Sequence, residues 1–145
     1  MNATKSSPAA LQDTTVNVKL KLSALWATLM FIYIYVDILG FYAPGVIEEI
    51  IAGRIWVLDI TQTWALGALT LMAIPSLMTF LSMALAARVN RWVNIVVASL
   101  FMVVTIANPI GETWLTIWYG SLIEILLLVL IIGYAWKWPK QEAAR

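Results

Sequence analysis

Asp37 and Glu124 each stand inside a long apolar run. A carboxylate held in hydrocarbon costs at least about 2.5–3.5 kcal/mol, so each marks a candidate site. Tyr33 precedes Asp37 by four residues, which on a helix puts the phenol on the same side and lets it donate to the acid. The plainer role for Asp37 is a short carboxylate reaching the headgroups near the end of its span. Glu124 lies about midway between Trp114 and Trp136, and Gly120 and Ser121 precede it by one turn. Small residues there let another helix approach closely. No Lys, Arg or His falls at that depth in any apolar run, so hydrocarbon favours the neutral acid, available for hydrogen bonding or proton exchange. Asn108, Gln62 and Glu112 belong to the same half of the span as Asp37 and could line a polar vestibule with it. Taken singly, each is better suited to an ordinary interhelical hydrogen bond worth about 0.6 kcal/mol. The candidate ligand-binding residues are therefore Asp37, Tyr33, Glu124, Asn108 and Gln62.

The elements that must position them are apolar runs at about 22–41, 64–86, 92–107 and 114–136. A span needs about 20 apolar residues to cross a core about 30 Å thick. The third run is short, but Val89 and Ile110 extend it. The expected fold class is all-α, a four-helix transmembrane bundle. Residues 1–18 and 141–145 read as polar tails flanking a membrane domain at 19–140. The first run exceeds the roughly 7–15 residues of a signal-peptide core and is followed by Tyr42-Ala43-Pro44, a poor cleavage site, so it is read as a retained helix.

Composition excludes much else. With 62% hydrophobic and only 12% charged residues, most of the surface must face lipid rather than water. Cysteine and histidine are both absent, which removes disulfides, Cys/His zinc sites, His-ligated haem and Ser–His or Cys–His nucleophiles supplied by this chain. No catalytic set, metal site or cofactor motif is recognised, so an enzyme is the least favoured class. No basic stripe suggests nucleic acid.

Orientation is read from the cations. Lys5, Lys19, Lys21, Arg88, Arg91, Lys137, Lys140 and Arg145 share one side, and Arg54 alone lies on the other. The positive-inside rule then places both termini and the 88–91 loop in the cytoplasm, the expected setting being a cell inner membrane. The eight tryptophans form two belts, with Trp26, Trp92, Trp136 and Trp138 at one set of helix ends and Trp56, Trp64, Trp114 and Trp118 at the other. The link at 42–63 opens with Pro44-Gly45. It then carries Val46, Ile47, Ile50, Ile51, Ile55 and Leu58 at near-helical spacing, interrupted by Glu48, Glu49 and Arg54. That pattern predicts a short amphipathic interfacial helix between the first two spans. In the second run Pro75 cannot donate to the Leu71 carbonyl, which predicts a kink or a freed acceptor near the depth of Glu124.

The stretches Lys19-Leu20-Lys21-Leu22-Ser23-Ala24-Leu25-Trp26, Tyr33-Ile34-Tyr35-Val36-Asp37, Tyr42-Ala43-Pro44-Gly45, Met72-Ala73-Ile74-Pro75-Ser76-Leu77-Met78 and Asn90-Arg91-Trp92-Val93-Asn94-Ile95 resemble an uncharacterised bacterial family of small four-helix membrane proteins, domain-of-unknown-function family 6326. The resemblance covers nearly all of the chain after residue 18. It implies a four-helix bundle in a bacterial inner membrane and implies no activity. A further likeness to DoxX-type proteins is one of shape alone, and shape does not give function.

Three functions remain open to these residues. One is binding of a small amphipathic or lipid-like molecule, with Asp37 and Tyr33 as the outer contact and Glu124 as the deep one. Another is proton-coupled transport of a small molecule through Glu124. The third is an accessory subunit whose carboxylates only fix helix register. The expected partners are the lipid bilayer, a small amphipathic ligand, and a second copy or another membrane protein.

Overall fold

A computed structural model of the chain describes residues 15–139 apart from Trp56. Residues 1–14 of the expected first tail, with Lys5, and Lys140 and the expected tail at 141–145, with Arg145, lie outside the described residues. Residues 15–17 lead into α1, which begins at Val18. Four long helices follow the four apolar runs: α1 (Val18–Gly40), α3 (Gln62–Ala84), α4 (Ala87–Ala107) and α5 (Leu115–Trp136), with the short α2 (Val46–Ile51) between the first two. Each long helix has the length and apolar character to cross a membrane. The chain is a four-helix membrane protein.

Local chemistry sets the helix ends. Asn17 caps α1 by accepting from the Lys19 amide, and Thr61 caps α3 by accepting from the Trp64 amide. At the far end of α3 the Lys19 ammonium donates to the carbonyls of Leu85 at 2.7 Å and Met83 at 3.3 Å. A cation there satisfies orphan acceptors and complements the negative end of the helix. α4 begins at Ala87, five residues ahead of the apolar run that opens at Trp92. Its first turns hold Arg88, Asn90 and Arg91, which hide a helix start from hydropathy.

The expected short helix between the first two spans is present as α2, and it ends sooner than the apolar spacing suggests. Gly53 adopts φ 79°, a left-handed conformation that stops a helix cheaply only at glycine. Beyond it, β1 (Arg54–Ile55) pairs antiparallel with β2 (Leu58–Asp59), setting Arg54 opposite Asp59 and Ile55 opposite Leu58. So Ile55 and Leu58 belong to a two-stranded hairpin, not to the helix.

In the bundle α1 packs against both α3 and α5, and α5 packs against α4; the α3–α4 seam is much the thinnest. Neighbours run antiparallel, so the start of α1 lies beside the ends of α3 and α5. We call this the basic end, because Lys19, Lys21, Arg88, Arg91 and Lys137 gather there. α1 buries Leu22, Trp26, Leu29 and Val36; α4 buries Asn90, Asn94, Ala98, Phe101 and Thr105; α5 buries Gly120, Ser121, Glu124, Leu128, Ile131 and Ala135. α3 buries only Pro75, Met78 and Ser82, none of them in its first half. Pro75 sits within an unbroken helix, and Ser76 donates to the Met72 carbonyl at 2.8 Å. The outward surfaces are mostly aliphatic and aromatic, as contact with lipid requires; Asp37 and the hydroxyls of Thr28, Thr70, Ser76 and Ser99 interrupt them.

Toward the basic end the core is polar. Asn94 accepts from the Trp26 indole at 2.7 Å and from the Ser82 hydroxyl at 3.1 Å, and it donates to the Asn90 side-chain oxygen at 2.7 Å. Asn90 in turn donates to the Ser82 carbonyl at 2.5 Å, and Ser23 donates to the Thr79 carbonyl at 2.7 Å. Three helices are tied by this network. Trp26 is the departure from the expected belt: it lies near an interface by position, yet it is fully buried with its N–H satisfied inside.

Candidate functional site

The second polar group lies in the half of the bundle away from the basic end. It is built on the α1–α5 contact. Gly120 on α5 faces Val36 on α1 so closely that a Cβ added to the glycine would collide with the valine side chain. That approach brings the next turn of α5, carrying Ser121 and Glu124, against the stretch of α1 from Tyr33 to Asp37. The small residues read from the sequence thus do here what they do between membrane helices generally.

Glu124 is 1% exposed, near the middle of α5. Every lysine and arginine among the described residues stands at a helix end or in a link, so no cation reaches it. Asp37 directly follows Val36, which meets Gly120 of α5 one turn from Glu124, and Tyr33 precedes Val36 by three residues. Tyr33 is half-buried and shares a hydrogen bond of 2.9 Å with Thr105 of α4. Its ring also lies 6.5 Å from that of Phe101. Ser121 is 3% exposed, and its hydroxyl has no hydrogen-bond partner among the described residues. Buried hydroxyls normally find one, because leaving such a group unmet costs about 1–3 kcal/mol.

The arrangement therefore gathers three of the five residues read from the sequence, Tyr33, Asp37 and Glu124. It adds Thr105 and Ser121, the second of which the sequence marks as a small residue. Asp37 itself is exposed. The inward line of α1 runs Trp26, Leu29, Tyr33, Val36, and so passes beside Asp37 rather than through it. Asn108 follows the end of α4 and Gln62 opens α3; both are exposed and neither bonds to the cluster among the described residues.

Two cavities lie elsewhere. One, of about 760 Å³, is lined by residues that include Asn17, Lys19, Ala87 and Trp138 at the basic end. The other, of about 250 Å³, lies between Phe41 and the isoleucines of α2. Among the described residues no group of His, Cys, Asp and Glu could hold a metal ion.

Chemically, the Glu124 cluster offers acceptors without a matching cation, plus one uncommitted hydroxyl. Its complement is a group rich in N–H or O–H donors, or a positive charge. The thin α3–α4 seam is the side on which this half of the bundle is least sealed, since α3 contributes nothing buried there.

No curated protein and no solved structure matches the chain. A family profile described as a family of unknown function, DUF6326, matches residues 12–145, which is nearly the whole sequence. The chain therefore belongs to the DUF6326 family, as a member folded into a four-helix membrane bundle.

Proposed function

We propose that the protein binds a small amphipathic molecule within the bundle, with the polar head at Glu124 and Ser121 and the apolar part toward the α3–α4 seam. The observation that carries this reading is the Ser121 hydroxyl, buried and unpartnered one turn from an enclosed carboxyl that no cation offsets. A carboxyl serving only to fix helix register would suit an accessory subunit, but that role asks for its polar neighbours to be satisfied. A head bearing hydrogen-bond donors, such as an amine, would satisfy both groups at once. Tyr33 and Thr105 hold each other between α1 and α4 and would border the site. Asp37, exposed at its edge, would attract a cationic head without enclosing it. Admission requires α3 to part from α4, the seam with least packing to lose.

The test is native mass spectrometry of the protein released with its co-purifying lipids. The parent is expected to carry a small donor-bearing amphiphile, and Glu124→Gln and Ser121→Ala to lose it. A parent free of adducts, or an adduct indifferent to both substitutions, would count against the reading.

We also propose an inner-membrane location with both chain termini in the cytoplasm, supported by the gathering of cations at the basic end. Reporter fusions after residues 53 and 90 should be active outside and inside respectively. An externally active fusion at residue 90 would reverse the orientation.

A further inference from the structure

At the basic end, two cations grip the last turn of α5 from opposite sides. Arg91 of α4 lies with its guanidinium carbon 5.7 Å from the Trp92 ring centre and 5.5 Å from that of Trp136. Lys21 of α1 lies 5.4 Å from the ring centre of Tyr134. All three distances are within the range of cation–π attraction. Lys19, by contrast, is already committed to the end of α3.

Arg91 is unfinished. Its Nε is buried and has no hydrogen-bond partner among the described residues. Two aromatic rings flank the guanidinium, and its donors lie in its own plane, in the fork that suits two oxygens of one phosphate. Among the described residues no carboxylate stands at this end to supply those oxygens.

We infer that Arg91, framed by Trp92 and Trp136 and assisted by Lys21, is a binding site for the headgroup of an anionic phospholipid. Lipid is favoured over a soluble anion by what surrounds the fork. Trp92 and Trp136 are exposed, and so are Val89 and Val96 on the same helix as Arg91. Acyl chains would continue down that surface while the phosphate stays level with the aromatic rings. A headgroup held this way meets the guanidinium's terminal N–H groups, which unlike Nε are not buried, and bridges the start of α4 and the end of α5.

The experiment is native mass spectrometry of the full chain from nanodiscs containing equal phosphatidylglycerol and phosphatidylcholine. The parent should retain phosphatidylglycerol preferentially. Arg91→Gln should cut that preference about fivefold, the worth of one cation near an anionic surface. Arg91→Lys should recover only part of it, because the charge returns without the fork. Trp136→Leu, at an exposed position, should also weaken it. Arg88 is exposed and makes no ring contact among the described residues, so Arg88→Gln should change retention far less. Equal losses for Arg88→Gln and Arg91→Gln would show diffuse surface charge and overturn the site. Displacement of the lipid by excess inorganic phosphate would show a soluble anion instead, and would also overturn it.

Discussion

Replacing Asn94 with alanine is expected to lower stability by about 2–4 kcal/mol, because it strands the Trp26 indole, the Ser82 hydroxyl and the Asn90 side chain at roughly 1 kcal/mol or more each. All four side chains are fully buried, so water cannot replace the lost partner without a cavity opening for it. Asn94 is also the point at which α1, α3 and α4 meet through side chains. Titration with a denaturing detergent, followed by circular dichroism, would measure the loss. Trp26→Phe should cost less, since it removes a single donor. The double variant should be less destabilised than the sum of the two, because the indole bond can be lost only once. Exposed Asn108 provides the contrast: Asn108→Ala should stay within about 0.5 kcal/mol of the parent.

Gly120→Val is expected to be nearly as disruptive, by a different route. The added Cβ would occupy the position of the Val36 side chain, and overpacking of this kind costs about 1–3 kcal/mol. Relief must come from α1 moving off α5, which also shifts Glu124 and Ser121 away from Tyr33. The substitution should therefore lower both stability and any binding at the site. Combining it with Val36→Ala makes room and should restore most of the stability. If the pair is no better than Gly120→Val alone, the close α1–α5 approach is not what positions the cluster. Melting curves of the three variants in one detergent would decide this.

The spans were legible because lipid leaves little freedom: a crossing helix must be long and apolar, and three of the four runs are, the third reaching that length only with its flanking residues. The inward side of α5 was legible for a related reason. Gly120, Ser121 and Glu124 fall at spacings of three and four, and a midplane acid has to turn away from lipid. On α1 the same spacing misled. Tyr33 and Asp37 share a side at four residues, but the buried line follows alternating steps of three and four through Leu29 and Val36, leaving the acid exposed at the edge. Trp26 looked like an interfacial anchor because position along the chain cannot reveal Asn94, 68 residues away, waiting to accept its N–H. The 54–59 hairpin was hidden because two-residue strands are too short to show a period. Gln62 and Asn108 looked like vestibule residues by depth alone; depth says nothing about which side of a helix a residue takes.

The site near Glu124 was legible only as an unpaid electrostatic debt. What the three-dimensional arrangement adds is the second unmet group, the Ser121 hydroxyl, and the Tyr33–Thr105 bond between α1 and α4. Neither could be read from one helix at a time, because each depends on how α5 and α4 meet α1.

The most direct test of the binding site is titration of a long-chain primary alkylamine into the protein in zwitterionic nanodiscs, comparing the parent with Glu124→Gln. A charge-assisted hydrogen bond is worth about 1.5–3 kcal/mol, so the substitution should raise the dissociation constant at least about tenfold while the melting temperature holds. Equal affinity in parent and variant, or no binding to either, would contradict a ligand site at Glu124.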